Sequence, residues 1–310
     1  MFEVKKYPAF SWSLSRHKTM QHCQRKYAYE YYVSHNGWLQ YNVSPEAQHV
    51  YRLKKLQHLP MFFGHVAHDI IAETMTTIIR TGHVPAVEEL IERARQKLND
   101  AYVQSKNEVE WAAKPNRSTM FFDMYYGDAL DKDEIATYRE RLHIIFEHFL
   151  TSYTVHELRQ NRAYIDLEQS EEFRTITIND VPVYLVMDIL YKDRRTDQWV
   201  IVDWKTGKST TEDRQQLALY AYYVHNIIGV PLDQIEVRNE YLLDNKHVNT
   251  QLDDVDLDIF MRLFRDSIFA MKGFQADIIS NEPVELEHFE RTQYTDRCEK
   301  CNYKQVCYAP

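Results

Sequence analysis

The sequence has little glycine, 7 residues in 310, and contains neither a G-x-G-x-x-G nor a G-x-x-x-x-G-K-[ST] motif. Loops that hold nucleotide phosphates depend on such glycines, so the sequence argues against a dinucleotide- or ATP-binding loop. It also has no apolar run long enough to cross a bilayer, and its first residues lack the apolar core of a signal peptide. We therefore expect an intracellular, cytoplasmic protein that does not contact membranes.

Cysteine is scarce as well, with four residues in the chain. In a reducing compartment, so few cysteines are better explained as metal ligands or bystanders than as disulfides. Hydrophobic residues make up 44% and charged residues 27% of the chain. This composition is typical of a soluble globular protein, and the length suits one large domain or two modest ones.

Positive charge is in deficit, because 37 lysines and arginines stand against 46 aspartates and glutamates, a formal net charge of −9. The overall field of such a protein repels nucleic acid. A nucleic-acid partner would therefore have to be held by a local basic patch or through bound metal ions.

The hydrophobic pattern changes period along the chain. A helix is predicted to begin at Ser13 or Ser15 and run to about Tyr32, and an amphipathic helix covers residues 62–80. Helices without a confident strand follow through residue 158. Further elements are predicted as three strands (172–180, 181–192 and 197–205), a helix opened by Thr211, a strand at 235–243 and a helix at 257–273. A turn at Asn179 and Asp180 is predicted to join the first two strands. This order indicates an α/β core with a mixed sheet and a long helical insertion.

Two strands carry acidic residues that suit a metal site. Asp188 lies within an apolar run, and Asp203 is followed two residues later by Lys205, so both of these side chains project from one face. Carboxylates at neighbouring strand positions are typical ligands for Mg²⁺ or Mn²⁺, and a lysine beside them can orient a water or offset phosphate charge. These residues also have a purely structural interpretation, in which Asp203 forms an ion pair with Lys205 and Asp188 is hydrogen-bonded to the backbone.

Three more residues complete a recognisable series. His68 lies on a helix four residues after Gly64, and Gln216 and Tyr220 share one helical face downstream. In this order, the set resembles the RecB-like branch of the PD-(D/E)XK nuclease superfamily. The opening segment SWSLSRHKTMQHCQRKYAYEYY also looks like the start of that branch, and the resemblance extends from Ser11 to Cys307.

The resemblance implies a restriction-endonuclease-like core with a mixed central sheet flanked by helices. It implies metal ligation by His68, Asp188, Asp203 and the backbone carbonyl of Trp204, with Lys205 as the catalytic lysine. Gln216 and Tyr220 would line the site and contact the nucleic-acid backbone. The family often has glycine two residues before the strand aspartate, where this sequence has Val186.

The four cysteines divide between the two ends of the chain. Cys298, Cys301 and Cys307 form C-x2-C-x5-C, and Cys23 lies far upstream. A local zinc knuckle is one reading. The arrangement also resembles the iron–sulfur RecB-like nucleases, including AddB subunits, CRISPR-adaptation exonucleases and exonuclease V proteins. That resemblance implies a structural [4Fe–4S] cluster that clamps both ends together, with structural Zn²⁺ as the alternative.

Basic residues cluster near the first cysteine and could offset the charge deficit. Tyrosines are interleaved with Arg16, Lys18, Arg25 and Lys26, and with a second cluster of Arg52, Lys54 and Lys55. Together they could form a groove for single-stranded nucleic acid, to which Tyr220 would also contribute. A solvated helix face is the other interpretation.

We therefore predict a metal-dependent deoxyribonuclease acting on single-stranded DNA or DNA ends, in repair, recombination or defence. The alternatives are a DNA-binding scaffold subunit of a helicase–nuclease or CRISPR-adaptation complex, and an RNA or structure-specific nuclease. No helicase motor is seen, so unwinding would need a protein partner. The predicted single domain, residues 1–310, is divided into an N-terminal segment (1–60), a nuclease core (61–80 with 160–245), a helical insertion (81–159) and a C-terminal part (246–310).

Overall fold

The computed structural model of the chain describes residues 4–170, 173–207 and 213–308. A central five-stranded sheet has the order β3-β6-β7-β8-β9, and shorter pairs of strands lie around it. The strands are β1 Leu56–Gln57, β2 Met120–Phe121, β3 Ile165–Ser170, β4 Phe173–Ile178, β5 Val181–Val186, β6 Ile189–Asp193, β7 Gln198–Lys205, β8 Ile235–Tyr241, β9 Lys246–Thr250, β10 Gln275–Asp277 and β11 Glu282–Pro283.

Helices account for most of the remaining described residues. They are α1 Leu14–His22, α2 Gln24–Ala28, α3 Pro45–Lys54, α4 Leu59–Thr81, α5 Val87–Gln104, α6 Glu108–Ala113, α7 Phe122–Tyr125, α8 Lys132–Thr151, α9 Tyr153–Asn161, α10 Asp213–Tyr222, α11 Asp254–Lys272, α12 Asp296–Glu299 and α13 Lys304–Cys307. π-helical turns at Tyr29–Val33 and Tyr223–Ile228 extend α2 and α10. No helix in these described ranges is both long and apolar enough to cross a membrane.

The central sheet is mixed, as expected. Strands β7 and β8 pair in parallel, whereas β3, β6 and β9 join their neighbours antiparallel. Alternation along each strand sends side chains to opposite faces. One face packs against α4, α5, α8 and α9 around residues such as Val202 and Phe149, and the other packs against α10 and α11 around residues such as Ile201 and Phe264. The predicted α/β class with flanking helices is therefore confirmed.

Local sequence signals explain several boundaries. The side chain of Ser13 accepts a hydrogen bond from the N–H of Arg16 and caps α1, so Ser13 and not Ser15 begins the first helix. Helix α4 ends at Gly82, whose φ of 76° lies in the left-handed region that glycine adopts readily. Asn179 and Asp180, with φ of 47° and 62°, form the predicted tight turn between β4 and β5.

Three predictions about elements were wrong. The first helix does not run unbroken to Tyr32, because Cys23 has an extended backbone and separates α1 from α2. The run 181–192 is not one strand: it pairs with β4 up to Val186 and with β3 and β7 from Ile189, so Asp188 lies in the break. Strands β1, β2, β3, β9, β10 and β11 were missed. The predicted helix start at Thr211 lies outside the described residues.

Candidate active site

The two strand aspartates face each other across an antiparallel strand pair. Ile189 pairs with Val202, so Asp188, just before β6, lies beside Asp203 in β7. The backbone N–H of Trp204 donates a 2.6 Å hydrogen bond to Asp188 Oδ2. This contact fixes the carboxylate in the strand break, and it matches the structural interpretation in which Asp188 is hydrogen-bonded to the backbone. The predicted role of the Trp204 carbonyl as a metal ligand stays a prediction.

Helix α4 brings His68 to the same place. Its Nδ1 lies 3.3 Å from Asp188 Oδ1, and the two side chains are only partly exposed. One turn earlier, Gly64 lies against the end of β7, where an added Cβ would come within 3.7 Å of Thr206 Oγ1. The close packing of this helix turn on β7 explains why a residue 120 positions from Asp188 in sequence reaches its carboxylate.

Lys205 connects the acidic residues to helix α10. Its Nζ lies 2.7 Å from Asp203 Oδ2 and donates a 3.0 Å hydrogen bond to Gln216 Oε1. Gln216 Nε2 donates in turn to the hydroxyl of Tyr220, 2.6 Å away, and that hydroxyl donates to the carbonyl of Val186. The structure thus brings together all the residues of the predicted series, although Gln216 and Tyr220 are engaged with each other and with backbone.

The electrostatics of this site show an excess of negative charge. Asp203 is 2% exposed. Burial, followed by the charge of Asp188, raises its pKa to about 6 despite the opposing effect of Lys205. Burial disfavours the charged form of Lys205, but the carboxylates of Asp203, Asp213 and Asp188 outweigh this effect and raise its pKa. A cation that neutralises the carboxylates would therefore stabilise the folded site.

The donor chemistry suits a hard divalent cation, since two carboxylates and an imidazole meet at one end of the β6–β7 strand pair. In the described residues, however, no group of three or more His, Cys, Asp or Glu side chains is arranged to hold an ion as it stands. The ammonium of Lys205 is the cation nearest Asp203 in this structure. Metal ligation by His68, Asp188 and Asp203 accordingly stays a prediction.

Sequence reasoning missed three neighbours of the site. Asn239 is buried and its Nδ2 donates to Asp203 Oδ2 at 3.2 Å, because β7 and β8 pair Asp203 with Asn239. Asp213 begins α10 with an oxygen 3.6 Å from Lys205 Nζ, and the hydroxyl of Tyr241 donates to it at 3.1 Å. The sequence did not distinguish Asn239, because its strand also contains Glu236, Arg238 and Glu240, and its pairing partner could not be read from the sequence.

The four cysteines form a second candidate site. Cys23, Cys298, Cys301 and Cys307 line one small cavity between the start of α2 and the C-terminal turns. Burial raises the pKa of the Cys301 and Cys307 thiols, so both are neutral at physiological pH without a metal. Around this cavity, Tyr29 stacks on Tyr303 at 5.4 Å and donates to the carbonyl of Val306. The structure therefore joins the two ends of the described chain at the cysteines, and the nature of a bound group stays open.

The predicted nucleic-acid contacts are mostly engaged in the fold. The guanidinium of Arg16 lies over the ring of Tyr31 and donates to Ser11, and Arg25 donates to the carbonyl of Phe289. Lys54 donates to the carbonyl of Glu30. The remaining members are placed as follows: Lys26 lines the cysteine cavity, Lys55 lies over the ring of Tyr51, and Lys18 and Arg52 are partly exposed.

Comparison with known proteins agrees with the geometry. The profile of the PD-(D/E)XK nuclease superfamily matches residues 11–308. Among curated proteins, none matches the chain. The matched region contains the mixed sheet, both strand aspartates, Lys205 and all four cysteines. The chain belongs to the PD-(D/E)XK nuclease superfamily.

Proposed function

We propose that this protein is a metal-dependent deoxyribonuclease of the RecB-like branch, acting on single-stranded DNA or DNA ends in repair, recombination or defence. Membership in the superfamily implies a nuclease, and its members generally use divalent metals such as Mg²⁺ or Mn²⁺. The observation that carries the proposal is the contact chain from His68 through Asp188 and Asp203 to Lys205. It joins a residue of helix α4, a residue just before β6 and two residues of β7 at one end of the β6–β7 strand pair.

The proposed site has a division of labour among its side chains. Asp188, Asp203 and His68 would hold the metal, which when bound supplies a Lewis acid and lowers the pKa of a bound water. The Lys205 ammonium, held by Gln216 and Asp213, would position that water or stabilise charge on the phosphate. Asn239 and the Trp204 N–H hold the two carboxylates in place.

The test is a cleavage assay on end-labelled single-stranded and double-stranded DNA and on RNA, with Mn²⁺, Mg²⁺ or EDTA. Lys205→Ala is compared with Lys192→Ala, which removes a lysine on the adjacent strand β6 that pairs with Asp197 instead. We expect metal-dependent cleavage that falls at least 100-fold in Lys205→Ala and stays unchanged in Lys192→Ala, because only Lys205 contacts the acidic site.

The cleavage products distinguish an exonuclease from an endonuclease, and the preferred substrate distinguishes a DNA nuclease from an RNA nuclease. Mononucleotides released from one labelled end indicate an exonuclease, whereas internal fragments indicate an endonuclease. Faster cleavage of RNA than of DNA would show that RNA is the preferred substrate. Folded protein that binds DNA without cutting it, in every metal, would contradict the proposal and favour the scaffold subunit.

For the cysteine site we propose a [4Fe–4S] cluster that clamps the chain ends. Four cysteine side chains line one cavity, Cys23 from one end of the chain and three from the other, and this supports the proposal because such a cluster takes four cysteine ligands. Anaerobically purified protein should be brown, with about four iron atoms per chain and a broad visible absorbance band. A colourless protein with one zinc per chain would contradict the cluster and show that the site holds structural Zn²⁺.

A further inference from the structure

A pocket of about 350 Å³ lies against α3 and shares no lining residue with the two sites described above. Its walls are the loop at residues 37–40 and the segment at residues 112–117. Among the described residues that line it, three side chains are basic and none is acidic: Arg52, Lys114 and Arg117. The protein has a net charge of −9, whereas the charged side chains that line this pocket are all positive. The pocket can therefore attract an anion that the protein as a whole repels.

An exposed aromatic side chain accompanies these charges. Trp38 is 50% exposed, whereas Trp12, Trp111 and Trp204 are each at most 2% exposed. Trp38 also lines the pocket, so part of its indole ring is accessible to a ligand there. A flat ring beside basic groups is the combination that binds nucleotides, because the ring stacks on a base and the cations attract phosphate.

The pocket is built by specific contacts on both walls. Gly37 packs so closely on α3 that an added Cβ would come within 2.3 Å of Tyr51 Cβ. Gln48 Nε2 donates to the carbonyl of Leu39 at 2.9 Å, which holds the Trp38 loop on the helix. On the other wall, the Tyr51 hydroxyl donates to Asn116 Oδ1 at 2.5 Å. Both walls are therefore fixed to one helix before any ligand binds.

We propose that this pocket binds a nucleotide unit of single-stranded nucleic acid, with Trp38 stacking on a base and Arg52, Lys114 and Arg117 contacting phosphate. The proposal deepens the nuclease function proposed above and rests on it for the identity of the strand as substrate. The volume is at the small end of ligand pockets, so it suits one nucleotide and not a duplex.

The pocket is close in sequence to the helix that carries His68. Helix α3 ends at Lys54, and α4, which carries His68, begins at Leu59. His68 is nine residues into α4, which is roughly 14 Å along the helix axis at 1.5 Å per residue. The pocket is therefore linked through a short connection to the helix that supplies the active-site histidine.

The first measurement is intrinsic tryptophan fluorescence of the full chain in EDTA, so that nothing is cleaved. It is titrated with a single-stranded oligonucleotide, a duplex of the same sequence, a mononucleotide and inorganic phosphate. We expect saturable quenching by the single strand, weaker quenching by the mononucleotide, and none of comparable size by the duplex or phosphate. Trp38→Phe should lose at least half of the quenching, since Trp38 is the reporter beside the pocket.

The second measurement is the affinity for a labelled single strand as a function of salt. Lys114→Gln/Arg117→Gln should weaken binding about tenfold or more and reduce the slope of log K against log salt by about 1.4, the value for two phosphate contacts. Lys246→Gln/Arg262→Gln removes two exposed basic residues on β9 and α11 and is the control with the same net charge.

Equal losses in the two double variants, or quenching by the duplex as strong as by the single strand, would overturn the proposal. So would quenching that persists unchanged in Trp38→Phe. The binding assay needs no metal and no cutting. Quenching without metal-dependent cleavage would therefore contradict the proposed nuclease alone, and cleavage without Trp38-dependent quenching would contradict the pocket alone.

Discussion

At the scale of single residues, the Asp203 carboxylate is held where ionisation is costly. Its pKa of about 6 lies above the ordinary value of 3.8 because burial and Asp188 both disfavour the charge. Between about pH 4 and 6 the folded protein therefore binds more protons at this group than the unfolded chain does. The stability of the metal-free protein should fall as pH rises through this window.

Asp203→Asn should remove this pH dependence. At pH 7.5 without metal, we expect the variant to be more stable by about 1–3 kcal/mol, the free energy that corresponds to a pKa shift of this size. The difference should vanish below about pH 3, where the carboxyl is protonated in both the folded and the unfolded protein. Chemical denaturation at several pH values in EDTA measures it. Mn²⁺ should stabilise the natural protein most above pH 6 and leave the variant nearly unchanged.

Asn239 supports the same carboxylate from β8. Asn239→Ala removes a buried hydrogen bond to Asp203 and should destabilise the protein by about 1–3 kcal/mol. Loss of this donor also disfavours the ionised carboxylate, so the acid limb of the cleavage pH profile should move to higher pH. Asn249→Ala, at an exposed position on β9, is the control. An unchanged pH profile would show that Asn239 does not act through Asp203.

At the scale of elements, two breaks in regular structure place functional side chains. Asp188 lies where one apolar run leaves its pairing with β4 and joins the central sheet. There its side chain accepts a hydrogen bond from the backbone N–H of Trp204. Cys23 lies where α1 gives way to α2, and its sulfur accepts from the N–H of Lys26. Both breaks turn a polar side chain toward a site.

The face of the sheet that packs against α9 contains a buried charged network. Arg238 on β8 is 0% exposed and contacts Glu157 at 3.0 Å, together with Glu236 and Thr154. Arg238→Met should cost about 3–5 kcal/mol, because it leaves carboxylates without their buried partner. Urea denaturation checks this, with Arg262→Met on the exposed face of α11 as control. A loss below 1 kcal/mol would contradict the structural importance of the network.

At the scale of the whole molecule, the two chain ends form one unit at the cysteine cavity. A hydrophobic cluster of Tyr29, Val50, Trp111 and Tyr303 combines residues from the N-terminal segment, the helical insertion and the C-terminal turns. The same unit supports α3 and hence the proposed nucleotide pocket. Loss of a cysteine that would bind the proposed cluster should therefore loosen this unit while the central sheet stays folded.

Limited proteolysis of Cys23→Ser tests that expectation. We expect faster cleavage near both chain ends than in the natural protein, with a protected fragment that retains the central sheet. Removing the proposed cluster from the natural protein by chelation should reproduce this pattern, because metal binding couples directly to folding. His22→Ser, at the exposed end of α1, is the control. Unchanged protection in Cys23→Ser would contradict a clamp at the chain ends.

By itself, the sequence determined the α/β class, the long helix at 62–80 and the tight turn at Asn179. It also determined the order of His68, Asp188, Asp203 and Lys205 along the chain. These features depend on local periodicity, on turn residues and on spacing within one strand or helix, which neighbouring residues alone dictate. Lys205 lies beside Asp203 because side chains two apart on a strand share a face.

Only the tertiary structure decided which distant residues meet. Pairing β7 with β8 selected Asn239 as the partner of Asp203, and packing α3 against two separate segments made a basic pocket from Arg52, Lys114 and Arg117. The break at Asp188 likewise follows from the switch of strand partners and not from its own sequence. Such contacts depend on register and packing between elements far apart in the chain, which local residue patterns do not encode.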